Sequence, residues 1–157
     1  MYTSLKWHIR YMNLAKSVST WSKDPSTCVG AVVVFPETGQ ILSTGYNGFP
    51  RGIDDTEERL NNREVKYGLT IHAELNAMHN ANLIGVSLKD STLYSCGLPT
   101  CSKCALSIIQ SGINTVVIRE EDIYKSDHWN EEWLKSEKLY NESNIEVIII
   151  KYADTKE

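Results

Sequence analysis

His72 and Glu74 stand two apart in TIHAELNAM, and Cys101 and Cys104 stand three apart in LPTCSKCALSII. One imidazole and two thiols make a soft donor set suited to zinc, with a carboxylate close by. A structural zinc site takes four protein ligands, whereas a catalytic one takes three and leaves the fourth position to water. With Glu74 left out, the count is three, which is the layout of a hydrolytic zinc site. Residues two apart on a helix point about 200° apart around its axis, but at a helix N-terminus both can border one pocket floor. Glu74 is therefore placed to handle protons beside an ion rather than to bind it. Taken singly, His72 reads as a hydrogen-bonded histidine and Glu74 as a helix-start carboxylate favoured by the dipole. The four residues in one frame point to a metal. Cys96, five positions before Cys101, leaves a second arrangement open, a closed structural site with four protein ligands and no catalysis.

These side chains need elements to bring them together. Leu5, Ile9, Met12, Ala15 and Val18 recur at helical spacing between Leu5 and Trp21, which predicts a first helix ending before Asp24-Pro25. VGAVVVF is a continuous β-branched run, as in a strand buried on both faces, and the turn PETG returns the chain into QILSTGYN as an antiparallel hairpin. Gly48 to Leu69 reads as irregular. A helix from about Ile71 to Asn82 follows, then the strand STLYSC and a helix from Cys101 to Ser111 stopped by Gly112. INTVVIR and IEVIIIK are strands joined by the helix HWNEEWLKSEKLYNES, which carries Trp129, Trp133 and Tyr140 along one side and makes the two strands parallel. The result is an α/β protein with a five-stranded mixed sheet and helices on both faces. Cys101 and Cys104 would sit on the first turn of one helix and His72 on that of another, where free N–H groups and the dipole favour thiolates.

Composition narrows the class further. A chain of 157 residues, 41% hydrophobic, with no repeat or linker, suits a single domain over 1–157. No segment reaches the ~20 apolar residues that cross a bilayer, and the N-terminus lacks the apolar run of a signal peptide, so a cytoplasmic protein is expected. There C-x-x-C reads as metal thiolates rather than a disulfide, and Cys28 and Cys96 as packed thiols. A net charge of -4, with four basic and five acidic residues mixed in RGIDDTEERLNNREVK, disfavours a nucleic-acid partner. A mononucleotide stays open, because one phosphate needs only one or two cationic side chains or backbone amides. GYNGFPRG is a loop that could approach a ligand closely or a plain turn. The tryptophans read as core or subunit contacts, and His8, His79 and His128 have no ligand-spaced partner.

KDPSTCVGAVVV, STGYNGFPRG, IHAELNAM and CALSIIQSGINTVV, in that order, make the chain resemble the deoxycytidylate (dCMP) deaminase branch of the cytidine deaminase superfamily. The resemblance runs from about Trp21 to Ile150. It implies a cytidine deaminase-like three-layer α/β/α sandwich that hydrolyses dCMP to dUMP and ammonia, supplying dUMP for thymidylate synthesis. By the same resemblance, His72, Cys101 and Cys104 hold one catalytic Zn²⁺ whose activated hydroxide attacks cytosine C4. To form that hydroxide Glu74 takes a proton from the water, passes it to the ring nitrogen and later serves the departing amino group. Asn47 would bond the sugar 3′-hydroxyl, Ala73 would contact substrate, and Arg51 would meet the phosphate. Tyr124 would touch base or phosphate, although by itself it reads as a surface tyrosine. A homo-oligomer, a hexamer in particular, and dCTP and dTTP effectors are also implied; from the residues themselves, Asp54-Asp55 and Glu57-Glu58 could coordinate Mg²⁺ with a nucleotide effector. That acidic run alone reads as a solvated turn. Thr100 stands where the family has proline, and could cap the following helix through the N–H of Lys103. A related zinc deaminase acting on a free nucleoside or another nucleobase compound is the alternative.

Overall fold

Strand alternation decides which layer each core residue joins. In the computed structural model, α1 (Leu5–Ser19) leads into an antiparallel pair, β1 (Gly30–Phe35) and β2 (Gln40–Tyr46). Two short helices follow, α2 (Glu57–Asn61) and α3 (Arg63–Leu69), then α4 (Ala73–Leu83) and β3 (Thr92–Cys96). The chain continues through α5 (Ser102–Gln110), β4 (Thr115–Arg119), α6 (Glu120–Ile123), α7 (Asp127–Glu142) and β5 (Glu146–Ile150). The structure describes residues 1–151, so residues 152–157 of the expected domain lie outside the described part. Among the described residues, no helix is long and apolar enough to cross a membrane.

The sheet runs β2-β1-β3-β4-β5, with β1 antiparallel to both neighbours and β3, β4 and β5 parallel. Ala31, Val33, Leu93, Val116 and Ile118 face Ala77 and Met78 of α4, Ala105 and Ile108 of α5, and Trp133 and Tyr140 of α7. Their sequence neighbours Val32, Val34, Tyr94, Cys96 and Val117 face Tyr11, Met12, Ala15 and Val18 of α1. Each face of the sheet is therefore covered, which is why VGAVVVF is apolar at every position. This is the expected three-layer sandwich. Full burial of each Val or Leu here is worth roughly 1.5–3 kcal/mol.

Several local expectations change. The buried stripe of α1 is His8, Tyr11, Met12, Ala15, Val18 and Ser19, while Leu5 is 49% exposed. His8 is admitted because its Nδ1 lies 2.9 Å from the buried Tyr94 hydroxyl. The stretch read as irregular holds α2 and α3, which start on side-chain caps, Thr56 accepting from Arg59 N–H and Asn62 from Val65 N–H. No residue of α2 is buried and only Lys66 of α3 is, so no apolar periodicity marked either helix in the sequence. Gly45 lets α4 lie flush on β2, since a Cβ there would stand 2.3 Å from Ala77 N. Across that contact Asn76 donates to Tyr46 O (2.7 Å) and Asn80 to Thr44 O (2.8 Å), satisfying carbonyls of the edge strand.

Candidate active site

β3 ends at Cys96 and the chain turns through Gly97–Thr100 into α5. Because β1 is antiparallel, with Gly30 opposite both Cys96 and Tyr46, the start of β1 and the end of β2 lie at the same end of the sheet as the end of β3. Open α/β sheets bind ligands outside the carboxyl ends of their parallel strands, and the residues singled out in the sequence gather here.

His72 and Cys101 are the N-cap residues of α4 and α5, both extended (φ -66, ψ 153 and φ -76, ψ 165) and neither making a side-chain cap bond. This corrects the expected helix starts, which placed both inside a first turn. Extended backbone at the cap leaves each side chain free to face the other helix, while Cys104 follows within the first turn of α5. His72 Nδ1 lies 3.5 Å from Cys101 Sγ and 3.4 Å from Cys104 Sγ, and the three donor atoms all lie within 4.8 Å of one another. Tetrahedral zinc with ordinary Zn–N and Zn–S lengths separates nitrogen from sulfur by about 3.5 Å. The donor set and its spacing therefore fit Zn²⁺. Contact with Cys104, and then with His72, lowers the Cys101 thiol to about 4. Contact with Cys101 and burial push Cys104 up, and contact with the Cys101 sulfur raises His72.

Glu74, on the first turn of α4 and 3% exposed, places Oε2 3.9 Å from Cys104 Sγ. Burial raises its carboxyl above the ordinary range. Ser95 Oγ donates to Glu74 Oε1 (3.1 Å) and lies 3.2 Å from Leu98 O, which ties the carboxyl to the chain that follows β3. A cavity of about 140 Å³ opens beside His72, Ala73 and Glu74. At the ~30 Å³ that each water occupies in the liquid, it has room for about five waters, enough for a pyrimidine ring.

Asn47 lines this cavity and is buried. Its Oδ1 accepts from Val29 N–H (2.8 Å) and its Nδ2 donates to Thr27 O (2.9 Å). Ala73 lines it too, at the start of α4. Arg51 and Tyr124 do not join them. Arg51 bonds Asn80 Oδ1 in a separate depression lined by Tyr46, Pro50 and His79, because the turn closed by Ile53 N–H on Pro50 O directs it along α4. Tyr124, just beyond α6, is 70% exposed and outside the cavity lining. Sequence reasoning missed Lys66 and Trp129, which do line the cavity. Lys66 was hidden in a mixed-charge stretch, and Trp129 lies on a helix whose other aromatics are core.

Thr100 does not cap α5. It is fully buried, its hydroxyl 2.7 Å from the Tyr140 hydroxyl and its carbonyl accepting from Ser136 Oγ (2.7 Å). Glu132 of α7 serves the helix start instead, accepting from Ser102 N–H (3.2 Å) and Oγ (3.0 Å). Before it, Gly97 (φ 112) donates its N–H to buried Asp122 (3.1 Å) and accepts from Lys125 Nζ (3.0 Å) on its carbonyl. Arg119 holds Asp122 in turn (2.8 and 2.6 Å). Leu98 and Pro99 of the cavity wall hang from this clamped residue.

The closed four-ligand arrangement fails on strand alternation. Cys96 packs with Tyr94 in the α1 layer, on the opposite face from Cys101 and Cys104, and burial pushes its thiol up to about 11. Cys28 is only partly buried. Asp55 pairs with Lys23 (2.9 Å), and among the described residues the acidic run joins no group of three ligands.

The model of the cytidine and deoxycytidylate deaminase zinc-binding region matches residues 5–120. A protein of Aliivibrio fischeri described as an uncharacterized deaminase is 37% identical over 142 residues, covering 90% of this chain and 92% of that one. Human deoxycytidylate deaminase is 37% identical over 130 residues, covering 78% of this chain and 70% of the relative. The crystal structure of dCMP deaminase from the cyanophage S-TIM5 in complex with dCMP and dUMP superposes with a TM-score of 0.68 at 25% identity, over 90% of this chain and 94% of that one. With the donor geometry and the sheet order, these place the chain in a zinc-dependent family of hydrolases: it belongs to the cytidine and deoxycytidylate deaminases.

Proposed function

We propose that this chain deaminates dCMP to dUMP and ammonia, acting over residues 1–157 as one domain. The observation that carries the reading is the trio His72, Cys101 and Cys104 beside the buried Glu74, with His72 and Glu74 lining one cavity. His72, Cys101 and Cys104 would hold one Zn²⁺, which when bound makes a water nucleophilic near neutral pH. Glu74 takes the proton that the water gives up, a role suited to a carboxyl whose affinity for protons burial has raised. It delivers that proton to the ring nitrogen and a later one to the leaving amino group. Ala73 borders the base, and Asn47, held by two backbone bonds, presents its remaining N–H to the sugar 3′-hydroxyl. Leu98, Pro99 and Trp129 keep solvent from the ring.

Free thiols at all four cysteines support a reducing, cytoplasmic setting. Exposed Leu83, Ile84 and Leu106 support a homo-oligomer. A hexamer and dCTP and dTTP effectors rest on the family resemblance alone, and Mg²⁺ with an effector rests only on the acidic run Asp54-Asp55 and Glu57-Glu58. The test is ammonia release from dCMP, deoxycytidine and CMP by protein that carries about one zinc per chain. Glu74→Gln should lower dCMP turnover by about 10²–10⁴-fold and leave zinc bound. Loss of zinc from that variant would remove Glu74 from its role, and equal turnover of dCMP and deoxycytidine would identify a nucleoside deaminase instead.

A further inference from the structure

We propose that Lys66, together with the Ser26 hydroxyl, binds the 5′-phosphate of the nucleotide, an assignment that rests on the dCMP reading above. Lysine is rarely buried without a reason, yet Lys66 is 5% exposed. It is also the sole buried residue of α3. Among the described residues that line the cavity, Lys66 supplies the ammonium or guanidinium group, since Arg51 faces a different depression.

The ammonium has three N–H donors, and the structure uses two, on Asp24 Oδ1 (3.1 Å) and Ser26 Oγ (3.1 Å). Asp24 Oδ1 also accepts from Ser26 N–H (2.8 Å) and Thr27 N–H (3.1 Å). Its charge is thus met by the backbone of its own loop as well as by Lys66. The pair fixes the direction of the lysine and leaves its third N–H and the Ser26 hydroxyl for an anion in the cavity. Thr27 O, in the same loop, accepts from Asn47 Nδ2, so the residue assigned to the sugar and the cation share one wall. A nucleotide whose sugar meets Asn47 carries its 5′-phosphate toward that cation, whereas a nucleoside leaves it unanswered.

The experiment compares kcat/KM for dCMP and deoxycytidine in the zinc-loaded wild type, Lys66→Gln, Lys66→Arg and Ser26→Asp. The preference for dCMP should fall about 10–100-fold in Lys66→Gln, chiefly through KM, the size of a lost charged hydrogen bond. Lys66→Arg should restore part of it. Ser26 is exposed, so Ser26→Asp sets a like charge beside the phosphate without disturbing the core, and it should lower the preference even if Lys66→Gln does not fold. A wild type that prefers dCMP, with variants that slow both substrates in equal proportion, would show that the Lys66–Asp24 pair merely fastens α3 and would overturn the assignment. A wild type without preference for dCMP would overturn the substrate reading itself.

Discussion

The two helices that start at residues of the metal trio begin differently from α2, α3 and α7. α2, α3 and α7 start at Thr56, Asn62 and Ser126, whose side chains accept from the N–H groups of Arg59, Val65 and Trp129 at 3.3, 3.2 and 3.3 Å. α4 and α5 start at His72 and Cys101, which make no such bond. α1 also starts without one, but at the exposed Ser4 where water can serve. A cap residue that folds back on its own helix is lost to chemistry; one that does not can face a second helix and hold an ion. Forgoing a good cap costs roughly 1 kcal/mol per helix. At α5 Glu132 makes up part of the difference from outside.

The sharpest way to break this comparison is to exchange single sulfurs. Cys104→Ser should release zinc on dialysis and lower ammonia release from dCMP by more than about 10²-fold, exceeding the loss typical of a residue that merely supports a ligand. Cys96→Ser, on the other side of the sheet, should keep both zinc and turnover. A metal loss in the second variant would mean that the two faces are not independent. Thr56→Ala removes a cap that serves only α2, which lines no part of the cavity, so urea unfolding should show a deficit of about 1 kcal/mol with dCMP turnover unchanged. A fall in turnover there would blur the line between the two kinds of helix start.

The smallest effect is a pH dependence. Glu132 is held down to about 2, first by Lys135 (2.7 Å) and then by Ser102. A carboxyl lowered by folding stabilises fully above its unfolded value of about 4.5 and loses that contribution as pH falls toward the folded value. The stability gap between wild type and Glu132→Gln should therefore be constant at neutral pH and close between about pH 4.5 and 2. A gap that persists at the acid end would show that packing, not charge, is what Glu132 gives to α5.

The sequence carried most of the sheet, because VGAVVVF, INTVVIR and IEVIIIK each keep one physical signal, an apolar run sized for a strand. Spacing alone also picked out His72, Glu74, Cys101 and Cys104, which the fold brings together. Substrate contacts were harder to read, since they depend on how a turn aims its side chains. Arg51 sits in the right motif and faces α4 instead. Lys66 sits in the α2–α3 segment, whose polar pattern hid two helices and a buried cation. Thr100 offered a cap by position, but the phenol of Tyr140, forty residues later, took its hydroxyl inward. Local rules fail where a distant residue competes for the same group.

The peptide at Gly97 is gripped from both sides, and a methyl group there would come within 2.4 Å of the Cys28 carbonyl. The strip of chain that follows is therefore a fixed stop rather than a flap. Remodelling this protein for a bulkier heterocycle would have to proceed from the half-exposed Trp129 or from α3, because that stop has neither slack to yield nor room to be rebuilt.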